Sequence, residues 1–247
     1  MIAELRSELR KMRTTRTNLG LLLGLVALIL FGVIGGSFGS ESELSLAENQ
    51  RELVGNGSFA AVFAALIGVM AMTSEFRHGT IRATFVFTPD RTRVVVAKVL
   101  ASILVGIGFG ALGSGLGLGT GVLMIRARGF DVLLDSEDVR RLLFGTVVMS
   151  ALWAALGVGL GAVLRNQVLA IVGLFAWVFV VESLLFQYLP GVARYAPAAA
   201  GTAMTGDAVG DSSVNLLTAP VGGALLAVYA AAFALAGGVV TSRRDVT

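Results

Sequence analysis

Residues 103–125 read ILVGIGFGALGSGLGLGTGVLMI, and within them GFGALG, residues 108–113, matches the pattern G-x-G-x-x-G. In a dinucleotide-binding fold that spacing follows a strand and opens a helix whose solvent-facing N-terminus receives a pyrophosphate. Here the surround is apolar for more than twenty residues, leaving neither a strand boundary nor a solvent face. The stretch therefore reads as a glycine-rich transmembrane helix. Gly106/Gly110, Gly113/Gly117/Gly121 and Gly115/Gly119 are small-x-x-x-small pairs of the kind that lets neighbouring helices approach closely or slide. No G-x-x-x-x-G-K-[ST] loop occurs, and neither lysine follows a glycine, so ATP is not bound by that route.

Composition extends this reading to the whole chain. Of 247 residues 55% are hydrophobic and 14% charged, and the mean hydropathy is +0.83, against about 25% charged residues in soluble domains. The isoelectric point near 9.8 does not signal nucleic acid, because the net charge is only +3 and the basic residues sit at the ends of apolar segments. The absence of cysteine removes disulfides, thiolate chemistry and sulfur-ligated metals. One histidine, His78, is too few for a histidine-built metal site. No set of side chains suggests covalent catalysis, so the expectation is a non-enzyme with no cofactor of its own.

A bilayer core takes about 20 apolar residues per helix. Six runs qualify, at 19–38, 57–73, 94–125, 142–164, 168–189 and 220–240. The first is expected to be a span rather than a signal peptide, since no A-x-A site follows it and five more runs do. The expected fold is an all-α integral membrane protein, one transmembrane domain over residues 1–247. Lys and Arg favour the cytoplasmic side, and placing both termini there puts thirteen of them inside and six outside. The 126–141 loop, with Arg126, Arg128, Arg140 and Arg141, opposes the rule, although Asp131, Asp135, Glu137 and Asp138 balance it. The first outside loop, ESELSLAENQRE, is acidic and expected to be solvated. The last, 190–219, is long; Pro190 and Pro197 break any continuous span, and a short re-entrant or interfacial helix is expected there.

Two segments flank the spans on the inside. Residues 1–17 place Ile2, Leu5, Leu9 and Met12 opposite Arg6, Arg10 and Arg13, which predicts an amphipathic helix on the anionic leaflet. Between the second and third runs, residues 75–93 read EFRHGTIRATFVFTPDRTR. A helix from Glu75 to the break before Pro89 sets Phe76, Ala83 and Phe87 on one face and Arg77, His78 and Arg82 on the other, with Gly79 weakening it by up to about 1 kcal/mol. Arg91, Arg93 and Lys98 are then expected at headgroup level. Glu182, in FAWVFVVESLLFQYL, is an intramembrane carboxylate and therefore a functional candidate. It either lines a transport path, carries a proton, pairs with an arginine such as Arg194, or meets water near the outer interface.

The order Glu75-x-Arg77-x-Gly79-Thr80, then Pro89, Arg91 and Lys98, resembles the signature of the ABC transporter type-2 permease family. The six runs, the basic amphipathic start, the long last outside loop and the ending SRRDV are similar to that family too. The resemblance implies a permease subunit of a bacterial ATP-binding cassette exporter in the plasma membrane. It implies further that residues 75–93 form a coupling helix docked on a separate ATPase, with Glu75, Arg77, Gly79, Thr80, Pro89 and Arg91 at the contact. Two ATPase chains, holding ATP and Mg, and a second permease chain, identical or homologous, would complete the assembly. His78 has no role in that signature. The rival readings are a standalone secondary transporter using Glu182, and a membrane scaffold or sensor component.

Overall fold

A computed structural model describes residues 1–38, 44–80, 90–206 and 215–243, and among them the regular structure is helix alone, without a strand. The amphipathic start is α1, Ile2–Thr14, and a single extended residue, Thr15, joins it to α2, Arg16–Ser37. The next span is composite: α3, Ala47–Gly55, a 3-10 turn over Asn56–Phe59, and α4, Ala60–Arg77. Two long helices follow, α5, Arg91–Ala127, and α6, Ser136–Leu164. The fifth span is α7, Gln167–Phe175, a π-helical segment Ala176–Val181, and α8, Glu182–Tyr188. Short helices α9, Pro190–Ala193, and α10, Pro197–Thr205, precede the last span α11, Ala219–Arg243. Six helical stretches are long and apolar enough to cross a membrane, so this is a multi-pass membrane protein.

The spans sort into a centre and a rim. The second and fourth are 67% buried over their most apolar windows and the third 50%, whereas the first, fifth and sixth are 17% buried and turn most of their surface outward. Glycine sets the spacing at the centre. A Cβ on Gly106 would lie 2.6 Å from the Ser150 carbonyl oxygen of α6, and one on Gly110 would lie 2.7 Å from Val147 Cα. Gly113, Gly117 and Gly121 back onto Ala60, Gly57 and Val54 in the same way, while Gly108, Gly115 and Gly119 face open space. Helices in lipid gain little from hiding apolar surface, so such backbone-to-backbone contact supplies the attraction.

Local sequence explains the ends. Asp135 caps α6 in a reciprocal box with Asp138, its carboxyl held below its ordinary value mainly by the Asp138 amide. Asn166 caps α7 through the Leu169 amide. Between them Arg165 stands at φ 52°, a left-handed conformation that a non-glycine residue adopts at a cost. Its guanidinium is tied 2.6 Å from the Val240 carbonyl at the end of α11 and lies over the Phe76 ring, which holds it there.

The second span differs from expectation. Residues 47–52, expected in a solvated loop, belong to the helix Ala47–Gly55, which is partly buried, with the Gln50 amide consumed by backbone. Gln50 Nε2 donates to the Leu44 and Asp131 carbonyls, and its Oε1 accepts from the Leu133 amide. In the 126–141 loop Arg140 and Arg141 share Glu137 and Arg128 lies over the Phe38 ring, while Arg51 of α3 bridges to Asp138 at 2.8 Å.

Gly110→Val is expected to destabilise the protein by about 1–3 kcal/mol through forced separation of α5 from α6. Gly108→Val, on the open face of the same helix, is expected to change almost nothing, and thermal unfolding of the two variants in one detergent compares them directly.

Candidate functional site

One end of the bundle gathers the N-terminus, the end of α4, the start of α5, the α6–α7 turn and the end of α11; it is called here the terminal face. Four charged side chains meet there: Glu8 and Lys11 from α1, Glu75 from α4 and Lys98 from α5. Lys98 Nζ donates to Glu8 Oε2 at 2.8 Å, to Glu75 Oε1 at 2.8 Å and to the Ala71 carbonyl at 3.1 Å, so all three ammonium protons have acceptors. Lys11 Nζ donates to Glu8 Oε1 at 2.7 Å and Glu75 Oε1 at 2.9 Å. Both lysines of the chain are in this cluster. The Lys98 side chain is 1% exposed and those of Glu8 and Glu75 are 8% and 9%, whereas Lys11 is half-exposed.

The arrangement refines three expectations. Lys98, expected at headgroup level, is fully buried within the protein, two turns inside the start of α5. Glu75 points inward to the two lysines rather than out toward a partner. The apolar stripe of α1 packs on protein: Met12 is buried and Leu5 and Leu9 partly so, against α2, α4 and α5, while Ile2 is left 78% exposed. Burial works against the charge of Lys11, but its hydrogen bonds to Glu8 and Glu75 outweigh this and lift it above its ordinary value.

The rest of the 75–93 stretch divides. Glu75, Phe76 and Arg77 form the last turn of α4 instead of starting a separate helix. His78 then caps that turn and Gly79 sits at φ 68°, a backbone that breaks any continuous helix from Glu75 onward. Arg77, His78, Gly79 and Thr80 are all exposed, and Arg77 reaches Gln167 Oε1 at the start of α7. Pro89 lies outside the described residues, as do positions 81–88, and Arg91 opens α5 behind the Asp90 cap.

Glu182 is 1% exposed and does not meet Arg194. Its carboxylate accepts from Trp177 Nε1 at 2.9 Å and from the Ala198 and Ala199 amides at 3.0–3.3 Å, the free N–H groups that open α10. Arg194 instead lies against the Tyr195 ring.

Sequence reasoning missed Glu8, Lys11 and Gln167. The signal for Glu8 was present: it lies three residues after Leu5 and four before Met12, a carboxylate on the apolar stripe of a basic helix. Lys98 likewise interrupts the apolar run VVVAKVLA. Against known proteins, the chain matches no family model and no curated sequence.

Lys98→Ala strands two buried carboxylates beside one half-exposed lysine and is expected to cost about 3–5 kcal/mol, read from unfolding midpoints. Because Lys11 is raised on folding, its contribution is complete below its ordinary 10.5 and is lost as pH climbs through the higher folded value. The stability gap between wild type and Lys11→Met is therefore expected to stay constant between about pH 6 and 9 and to close above 10.5.

Proposed function

We propose that this chain is the membrane subunit of an ATP-binding cassette exporter in a bacterial plasma membrane, driven by a separate ATPase docked at the terminal face. The observation that supports it is the junction at the end of α4. Glu75 is ion-paired to α1 and α5, and Arg77, His78, Gly79 and Thr80, immediately after it, are exposed. A partner pressing on those four residues acts within one helical turn on a charge cluster shared by three helices. Since only Thr15 separates α1 from α2, the displacement reaches the first span as well as the second and third.

In this reading both termini are cytoplasmic, in keeping with the surplus of Lys and Arg on that side. The chain performs no covalent chemistry; ATP and Mg belong to two ATPase partners, and a second permease chain, identical or homologous, completes the path. Arg77 and the Gly79-Thr80 turn make the contact. Glu75 acts one step behind it, holding the contacted turn to the spans, so it is a positioning residue. The resemblance also assigns Pro89 and Arg91 to the contact.

Tagged protein purified from its native host is expected to bring an ATPase with it, and the exposed-surface variant Arg77→Glu/Thr80→Glu is expected to lose that partner by at least about tenfold while inserting and unfolding like wild type. Co-purification of no ATPase with the wild type, or undiminished recovery with the variant, would sink the assignment.

A further inference from the structure

The helix α10 ends inside the bundle. Gly145 of α6 backs onto Met204 and Thr205, and Met149 backs onto Gly201, so α10 runs antiparallel to α6. Its C-terminus lies toward the face opposite the terminal one and its N-terminus is the deeper end. It is wedged between α6 and α11 by small residues: Ala199, Ala200, Gly201 and Ala203 are buried, and a Cβ on Gly222 of α11 would lie 2.5 Å from the Ala200 carbonyl oxygen. Such faces fit closely and carry no directional bonds of their own. At the deep end, the first amides of α10 have no intrahelical acceptor and in lipid no water to turn to.

Glu182 supplies that acceptor from the fifth span. It can do so because the preceding segment, Ala176–Val181, is wound as π-helix. In an α-helix residues five apart point about 140° away from each other; the wider turn brings Trp177 Nε1 onto Glu182 Oε1, five residues on. Trp177 thus fixes one carboxylate oxygen while Ala198 and Ala199 engage both. Two residues before α10, the Tyr195 carbonyl accepts from the Tyr229 hydroxyl of α11.

We propose that Glu182 and Trp177 form a lock holding α10 between α6 and α11, and that releasing it lets α10 withdraw and admits water to the space between those two helices. The acceptor count matters: the two Glu182 oxygens accept from all three donors, whereas a glutamine turns an NH₂ group toward some of them. Glu182 and Trp177 are positioning residues in this device, and its operation needs no partner chain.

The cysteine-free chain makes the test direct. Ala199→Cys, at the deep end of α10, is placed in protein held in lipid nanodiscs and its rate of reaction with a water-soluble maleimide is measured. Adding Glu182→Gln is expected to raise the rate on the order of tenfold, the scale of losing one charge-assisted hydrogen bond. Trp177→Phe, which removes one donor and leaves the charge, is expected to raise it less. Ala64→Cys, fully buried in α4, is expected to stay unreactive in all backgrounds. The lock is overturned if Ala199→Cys reacts at the same rate with Glu182→Gln as without it. It is equally overturned if Ala64→Cys becomes reactive in step with Ala199→Cys in both backgrounds, which would mark general loss of the fold rather than release of one helix. Neither outcome touches the partner assignment at the terminal face.

Discussion

Lys98 is a cation with its side chain 1% exposed, and much of the terminal face is arranged around satisfying it. A buried ammonium is tolerated only where counter-charges and acceptors replace its water. One carboxylate comes from α1, the other from α4, and the third acceptor is a backbone carbonyl one turn before Glu75. No single helix can supply that set. The surface helix α1 is therefore an integral part of the bundle, held by Glu8 on its apolar stripe as well as by Met12. Lys11 closes the cluster from the solvent side and leaves it electrically neutral among its four members.

Glycine makes that meeting possible. The α4, α5 and α6 backbones touch through Gly68, Gly106, Gly110 and Gly157, so the helix ends converge closely enough for short ion pairs to form. The two devices divide the work by depth. In the apolar middle, close contact at glycines sets the distance; at the terminal end, charges fix which helices are held and in what register.

The parts of this arrangement that periodicity and hydropathy carry were legible: six runs at nearly the observed places, the α1 stripe, and the break in the last loop at Pro190 and Pro197. The partners were not. Glu75 and Lys98 stand out as charges beside apolar runs, yet Lys11 lies 64 residues from Glu75 and Glu8 lies 90 from Lys98, and only the packing of three helices brings them together. Of the helix expected from Glu75 onward, Glu75–Arg77 belong to the last turn of α4, which Gly79 at positive φ follows, and residues 81–89 lie outside the described residues. Glu182 was recognisable by its cost in an apolar span, but an arginine was the obvious partner to expect. Its actual partners are backbone amides of α10 and a tryptophan that α-helical spacing would have pointed elsewhere.

Glu75 and Glu182 show two ways of keeping a carboxylate in an apolar bundle, with different mechanical consequences. Glu75 is held by two lysine ammonium groups, on α1 and α5. Separating those helices would leave unlike charges unpaired in a low-dielectric setting, a steep penalty that makes the terminal end move as one body. Glu182 is held by neutral N–H donors, two of them at the tip of a helix otherwise packed through alanine and glycine. Hydrogen bonds to a charged group contribute about 1.5–3 kcal/mol each, so the donors on Glu182 hold the tip of α10 on a scale similar to that of a buried ion pair, on a helix of only nine residues. The two carboxylates thus fasten different parts of the bundle: Glu75 ties α4 to α1 and α5 beside the exposed Arg77–Thr80 surface, and Glu182 ties the fifth span to α10 toward the opposite face.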